Sequence, residues 1–138
     1  MIDDNKALVR RYYEEVLNGR DLSVVPELFA PAFVSYAPSG RSFDLAEYVR
    51  AIGVSHAALP DLHVTIEDQF AEGDRVVTRW SATATHQGPF AGIASTGKAI
   101  RVTAMHIHRI ASGKLAEHWE QFDLHGLLRQ LGALPAPG

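Results

Sequence analysis

The chain reads as an α+β domain with its classes segregated: about three helices first, then a strongly curved antiparallel sheet, then a short C-terminal helix. Three observations predict this. Up to about residue 58 apolar residues recur at three- and four-residue spacing, the helical period. From Leu62 the spacing drops to two, the period of a half-buried strand. Two glycine-centred turns, Glu72-Gly73-Asp74 and Ala111-Ser112-Gly113-Lys114, then fold the second half into hairpins.

The elements follow in order. Asp3 and Asp4 suit the start of a helix that runs to about Leu17, with Leu8, Tyr12, Tyr13 and Val16 on its apolar face, and Asn18-Gly19 ends it. Asp21 opens a second helix with Leu22, Val25, Leu28 and Phe29 inward, stopped near Pro31. Phe33 to Tyr36 is a short extended piece. A third helix runs from about Asp44 to Ala58 with Leu45, Tyr48, Val49 and Ile52 inward. The strand from Leu62 alternates Leu62, Val64, Ile66 and Phe70 against polar residues, with Asp68 as the odd member on the apolar side. Arg75 to His86 places Val76, Trp80, Ala82, Ala84 and His86 on one face. Gln87 to Gly97 is a loop, Lys98 to Asp123 a long hairpin, and Leu124 to Leu131 a closing helix. Residues from about 134 to 138, with Pro135-Ala136-Pro137-Gly138, are expected to fray.

Composition narrows the function classes. The 138 residues fit a single domain, and 46% apolar with 21% charged residues is ordinary for a globular chain. No apolar run approaches the ~20 residues of a membrane span, and no signal segment opens the chain. A formal charge of −3 with both signs interspersed offers no footprint for nucleic acid. The absence of cysteine removes thiolate chemistry and fits a cytoplasmic location. Seven histidines are the remaining chemical resource.

The long hairpin concentrates that resource. Its first arm sets Ile100, Val102, Ala104, His106, His108 and Ile110 on one face; strict alternation gives Leu115, Glu117, Trp119, Gln121 and Asp123 on one face of the second. An apolar face carrying imidazoles and carboxylates is the composition of a ligand pocket. Helices laid over a twisted sheet would leave a conical cavity, into which Trp80, His86, His106, His108, Trp119 and Asp123 are expected to point.

The run PDLHVTIEDQFAEGDRVVTRW, the pattern T-x-T-H-x-G-x-F-x-G-I-x-x-T-G-K from Thr83 to Lys98, and then H-I-H-R-I and G-K-L-A-E-H-W-x-x-x-D together resemble the SnoaL-like polyketide cyclases. This family belongs to the nuclear transport factor 2-like superfamily, so the resemblance implies the cone-shaped, cystatin-like α+β fold. It also implies a cofactor-free intramolecular aldol closure run by an aspartate with a histidine nearby. The aspartate matches Asp123, and the histidine matches His106, with His108 one alternation further on. The rest of the pocket is expected from His108, Trp119, Glu117, His86, Trp80, Tyr13 and Phe90. The implied partners are a small hydrophobic or aromatic molecule and, through the outer sheet face, a second copy of the chain.

Each of these residues has a plainer reading. Asp123 could cap the closing helix, since aspartate is a strong N-cap. His106 and His108 could be buried structural histidines. An H-x-H pair with His86 or Glu117 could also hold zinc; with no aligned third ligand, the expectation is neither metal nor cofactor. The spacing Gly92-x4-Gly97-Lys98 imitates a phosphate loop but precedes a strand and lacks the magnesium-binding hydroxyl, which excludes nucleotide binding. The alternatives to a cyclase are an isomerase, dehydratase or epoxide hydrolase in the same pocket, or a non-catalytic binding protein.

Overall fold

In the computed structural model, which describes residues 2–134, helix α1 covers Ile2–Arg11. Asp3 and Asp4 sit in its first turn, where unpaired N–H groups favour carboxylates. It continues directly into a π-helix, Tyr12–Asn18, in which Gly19 N–H donates to the carbonyl of Glu14 at 2.8 Å, five residues back. The expected helix is present, but its second half is wound more widely. A side chain at Gly19 would press against the Glu15 carbonyl, which accounts for glycine at the stop. Val9, Tyr12, Tyr13 and Val16 are fully buried.

Asp21 accepts from Ser23 N–H and starts a 3-10 turn, Leu22–Val24, followed by the one-turn α2, Val25–Leu28. Leu22, expected inward, is 38% exposed, because the tighter turn shifts the phase of the face. Helix α3, Leu45–Ala58, opens on a complete capping box: Asp44 accepts from Glu47 N–H, and Glu47 accepts from Asp44 N–H.

The sheet differs from the expectation of four antiparallel strands. Strands β1 (Phe29–Tyr36), β2 (Ser42–Asp44), β3 (His63–Glu72), β4 (Arg75–Thr85), β5 (Ala99–Ala111) and β6 (Lys114–Phe122) form one six-stranded mixed sheet in the order β2-β1-β6-β5-β4-β3. Strand β1 runs parallel to β6, with Ser35 opposite His118. That pairing joins segments more than eighty residues apart, so no local turn signal announces it. The turn between β5 and β6 does follow its sequence: Ser112 and Gly113 both take positive φ, as a two-residue hairpin with the right-handed strand twist requires.

Two irregularities decide which side chains face the helices. Opposite β4, the pairs Ile66–Trp80 and Asp68–Arg79 leave Glu67 as an extra residue. Beyond it the alternation reverses: Phe70 is 61% exposed and Asp68 forms an outer ion pair with Arg79 at 2.7 Å. The apparent misfit at Asp68 was a bulge. Opposite β5, the pairs Arg109–Glu117 and Ile110–Leu115 leave Ala116 as the extra residue, and Leu115 and Ala116 are both buried side by side. From there on the even residues of β6 face inward.

Helix α1 with its π-helical continuation, and α3, cover the inner face of the sheet, and Tyr12 and Tyr13 of the π-helix and Tyr48 of α3 pack with Phe29, Phe33 and Trp80 into the main core. A smaller core of Leu59, Ala84, Ile100, Leu127 and Leu131 lies under α4 (Leu124–Gln130). No helix among the described residues is long and apolar enough to cross a membrane. The tail Pro135–Gly138, expected to fray, lies outside the described residues.

Candidate active site

Between the helices and the inner face lies a cavity of about 290 Å³. Its walls are apolar over most of their extent, with Ile52, Val64, Trp80, Ile100 and Phe122 among them, and Phe90 of the β4–β5 loop closes one side. The polar lining residues include Tyr12 from the π-helix, Tyr48 from α3, His106 from β5 and Glu120 from β6.

Strand pairing brings the last two together. His106 and Glu120 are direct cross-strand partners, so their side chains share a face. Glu120 Oε2 stands 3.6 Å from His106 Nε2, with the histidine side chain 2% and the glutamate 27% exposed. Burial pushes the Glu120 carboxyl up, but the adjacent His106 outweighs it and holds the group below its ordinary value, so it is ionised at neutral pH. On the other side of the ring, His106 Nδ1 and the Tyr13 hydroxyl share a hydrogen bond of 2.6 Å. The hydroxyls of Tyr12 and Tyr48 are hydrogen-bonded to each other. Burial raises both phenols well above their usual range, so they remain neutral donors.

Of the residues singled out from the sequence, the structure places His106, Trp80 and Phe90 on the cavity and Tyr13 directly behind it. His108 is fully buried beside Tyr12, with ring centroids 5.3 Å apart, and belongs to the layer beneath the wall. His86 is also fully buried but is held by the loop: Thr96 N–H donates to its Nδ1 at 3.2 Å. Trp119 and Glu117 lie on the opposite face of the sheet. There Trp119 stacks on Tyr36 and lies under Arg75, and Glu117 accepts from Arg109 at 2.6 Å and from Tyr36 at 3.1 Å. The extra residue Ala116 turned both outward.

Asp123 is not brought together with His106. It is exposed, accepts from Gly126 N–H at 2.8 Å as the N-cap of α4, and borders a depression on the outer face beside Arg79 and Arg101. A side chain at Gly126 would collide with the Asp123 carboxylate, so that residue is fitted to the cap as well.

Comparison with known proteins agrees with this architecture. A family profile described as SnoaL-like polyketide cyclase matches residues 7–131. The chain belongs to that family. Among solved structures, it is similar to AclR from Streptomyces galilaeus, named as a candidate hydroxylase, at 31% identity over 100% of this chain and 91% of that one, with a TM-score of 0.89. TsrD from Streptomyces laurentii is 29% identical over 96% and 97% of the two chains, with a TM-score of 0.86. IdmH from Streptomyces antibioticus, named as a candidate polyketide cyclase, is 30% identical over 93% and 98%, with a TM-score of 0.82. No protein in the curated set matches. The fold is the α+β cone of these SnoaL-like neighbours.

Within this SnoaL-like chain, two cavity groups went unnoticed in the sequence, Glu120 and Tyr48, while Tyr12 was legible as a helix residue able to reach the cavity but without a role. For Glu120 the available signal was the neighbouring pair Leu115-Ala116, two small-to-medium apolar residues in succession where strict alternation demands one. Tyr12 and Tyr48 were legible as inward residues of two helices, but not as partners of each other.

Proposed function

We propose that this SnoaL-like protein is a cofactor-independent acid/base enzyme that forms an enolate and closes a ring, with Glu120 rather than Asp123 as the base. The observation that carries the reading is the Glu120–His106 pair at the polar end of an otherwise apolar cavity, 3.6 Å apart. An ionised carboxylate there removes a proton alpha to a substrate carbonyl. The enolate carbon then attacks a second carbonyl of the same molecule, a carbon–carbon bond forms, and the new alkoxide takes a proton back from the Glu120 carboxylic acid. His106 Nε2–H serves as hydrogen-bond donor to the developing oxyanion while Tyr13 fixes its ring through Nδ1. The apolar walls hold the folded substrate so that the reacting carbons meet, which converts a bimolecular encounter into an intramolecular one. The substrate class is a small hydrophobic or aromatic carbonyl compound able to bury most of its surface in the cavity.

The test is solvent-deuterium exchange at the α-carbon of aromatic β-keto esters, followed by NMR. Exchange that is catalysed by the native chain, lost in Glu120→Gln and kept in Asp123→Asn supports the reading. Exchange unaffected by Glu120→Gln removes it, and saturable ligand binding with no exchange identifies a binding protein.

The outer sheet face carries exposed Phe70, Met105 and Ile107. A homodimer through this face is part of the proposal, and a monomer mass by light scattering at micromolar concentration would remove it.

A further inference from the structure

His106 on the cavity wall and His108 and His118 beneath it form a buried trio with exposures of 2%, 0% and 0%. Their ring centroids lie 4.8 to 5.3 Å apart. Two of the rings are tied on one side only. His106 Nδ1 is bonded to the Tyr13 hydroxyl and His118 Nε2 to Ser35 Oγ at 2.9 Å. The opposite nitrogens, His106 Nε2 and His118 Nδ1, are buried and have no hydrogen-bond partner among the described residues. Buried polar atoms are nearly always satisfied; His106 Nε2 stands 3.6 Å from Glu120 Oε2, and a ring nitrogen of His118 lies within 4.8 Å of the donor atoms of both, so the cluster points to a ligand.

We propose that His106, His118 and Glu120 form a binding site for a divalent transition-metal cation of the zinc class. One donor atom from each of the three lies within 4.8 Å of the others. Two imidazole nitrogens and a carboxylate oxygen are a donor set suited to such ions. The hydrogen bonds on the far side of each ring are the second support. A ligating histidine needs its other N–H engaged so that tautomer and orientation are fixed, and Tyr13 and Ser35 are hydroxyls able to accept it. Ligand bonds of about 2.1 Å require the three donors to draw together by roughly 1 Å. The two rings must also leave their stack, at present 18° from parallel, and turn their edges to one point. His106 and Glu120 line the cavity and His118 lies behind them, so the remaining coordination position faces the cavity.

This site does not rest on the acid/base reading, and the two compete. A bound cation takes the Glu120 oxygen and the His106 nitrogen, so the loaded protein carries out no α-proton exchange.

The experiment is titration of the chelator-treated full chain with Co²⁺ alone, read by visible d–d absorption, followed by displacement with Zn²⁺. A band saturating at one Co²⁺ per chain, abolished in His118→Asn and unchanged in the exposed-histidine variants His63→Asn and His125→Asn, is the expected result. Ser35→Ala, which removes no ligand atom, weakens Co²⁺ binding by about 10- to 100-fold and serves if His118→Asn does not fold. No saturable band up to about millimolar Co²⁺, an undiminished band in His118→Asn, or unchanged affinity in Ser35→Ala overturns the proposal. Exchange assays on the chelator-treated protein are read separately, so failure of the metal site leaves the acid/base reading intact, and the reverse.

Discussion

Strands β5 and β6 form one hairpin, yet they translate sequence into structure differently. In β5 the alternation runs without a break from Ile100 to Ile110, and every even residue from Ala104 to Ile110 is buried. In β6 the same reading fails after Leu115, because Ala116 is an extra residue opposite β5. The consequence is chemical. Regular pairing would have turned Glu117 and Trp119 toward the helices; the bulge instead turns in Ala116, His118, Glu120 and Phe122. One inserted residue therefore chooses which carboxylate meets His106.

The sharpest way to break this comparison is Ala116→Glu. The extra residue is buried beside Leu115, so a carboxylate there is buried without a partner and the variant should lose its cooperative unfolding transition in urea. Deleting Ala116 instead makes Ile110–Leu115 and Arg109–Glu117 consecutive pairs and keeps His118 and Glu120 inward, so that variant should still unfold cooperatively. If Ala116→Glu unfolds like the native chain, Ala116 is not the buried extra residue that shifts the face.

The next largest effect concerns chemistry. Glu120→Gln should lower the α-proton exchange rate by about 10²–10⁴-fold, the usual range for a positioned general base, with little change in melting temperature. Equal losses in Glu120→Gln and Asp123→Asn would erase the distinction between the two carboxylates.

A third prediction uses the histidines that the two strands hold together. Burial, with a smaller contribution from His106, keeps His108 well below its ordinary 6.5, and burial keeps His118 there too. The groups facing them are His106, Glu120, Tyr12, Tyr13, Tyr48 and the Ser35 hydroxyl. Both folded values lie below the unfolded ones, so the unfolded state takes up more protons as pH falls. The stability is fully present above about pH 6.5 and declines below it, by about 1.4 kcal/mol per pH unit for each histidine. Urea unfolding at about pH 7.5 and about pH 5.5 reads this slope, and His108→Leu should reduce it to roughly half. A flat profile would mean that these rings are not buried neutral.

The smallest expected effect is at the end of β6. Asp123→Ala should cost about 1 kcal/mol of stability through loss of the α4 cap, while α-proton exchange stays within about twofold. Chemical denaturation measures the first and NMR the second. A large loss of exchange with unchanged stability would return Asp123 to the catalytic role that the family motif suggested.

These residues also show how far the sequence could be read. Asp44, Asp21 and Asp123 as caps, Gly73 and Gly113 as turn residues, and the inward face of β4 and β5 were all legible, because each depends on hydrogen bonds or alternation within a few neighbours. The family motif placed the histidine on the cavity as well. The motif's last aspartate, Asp123, lies on the outer face as the α4 cap, and the cavity carboxylate, Glu120, stands at one of the motif's unspecified positions, one register step from the face that alternation assigned.

By itself, then, the sequence determined the helical and strand periods, the turns, the capping residues and the membership of the SnoaL-like family. The tertiary structure alone decided the parallel pairing of β1 with β6, the Tyr12–Tyr48 contact and the inward turn of Glu120. The physical reason is one of reference. A period or a cap is defined against the chain's own neighbouring residues, whereas a bulge exists only relative to a partner strand that has one residue fewer.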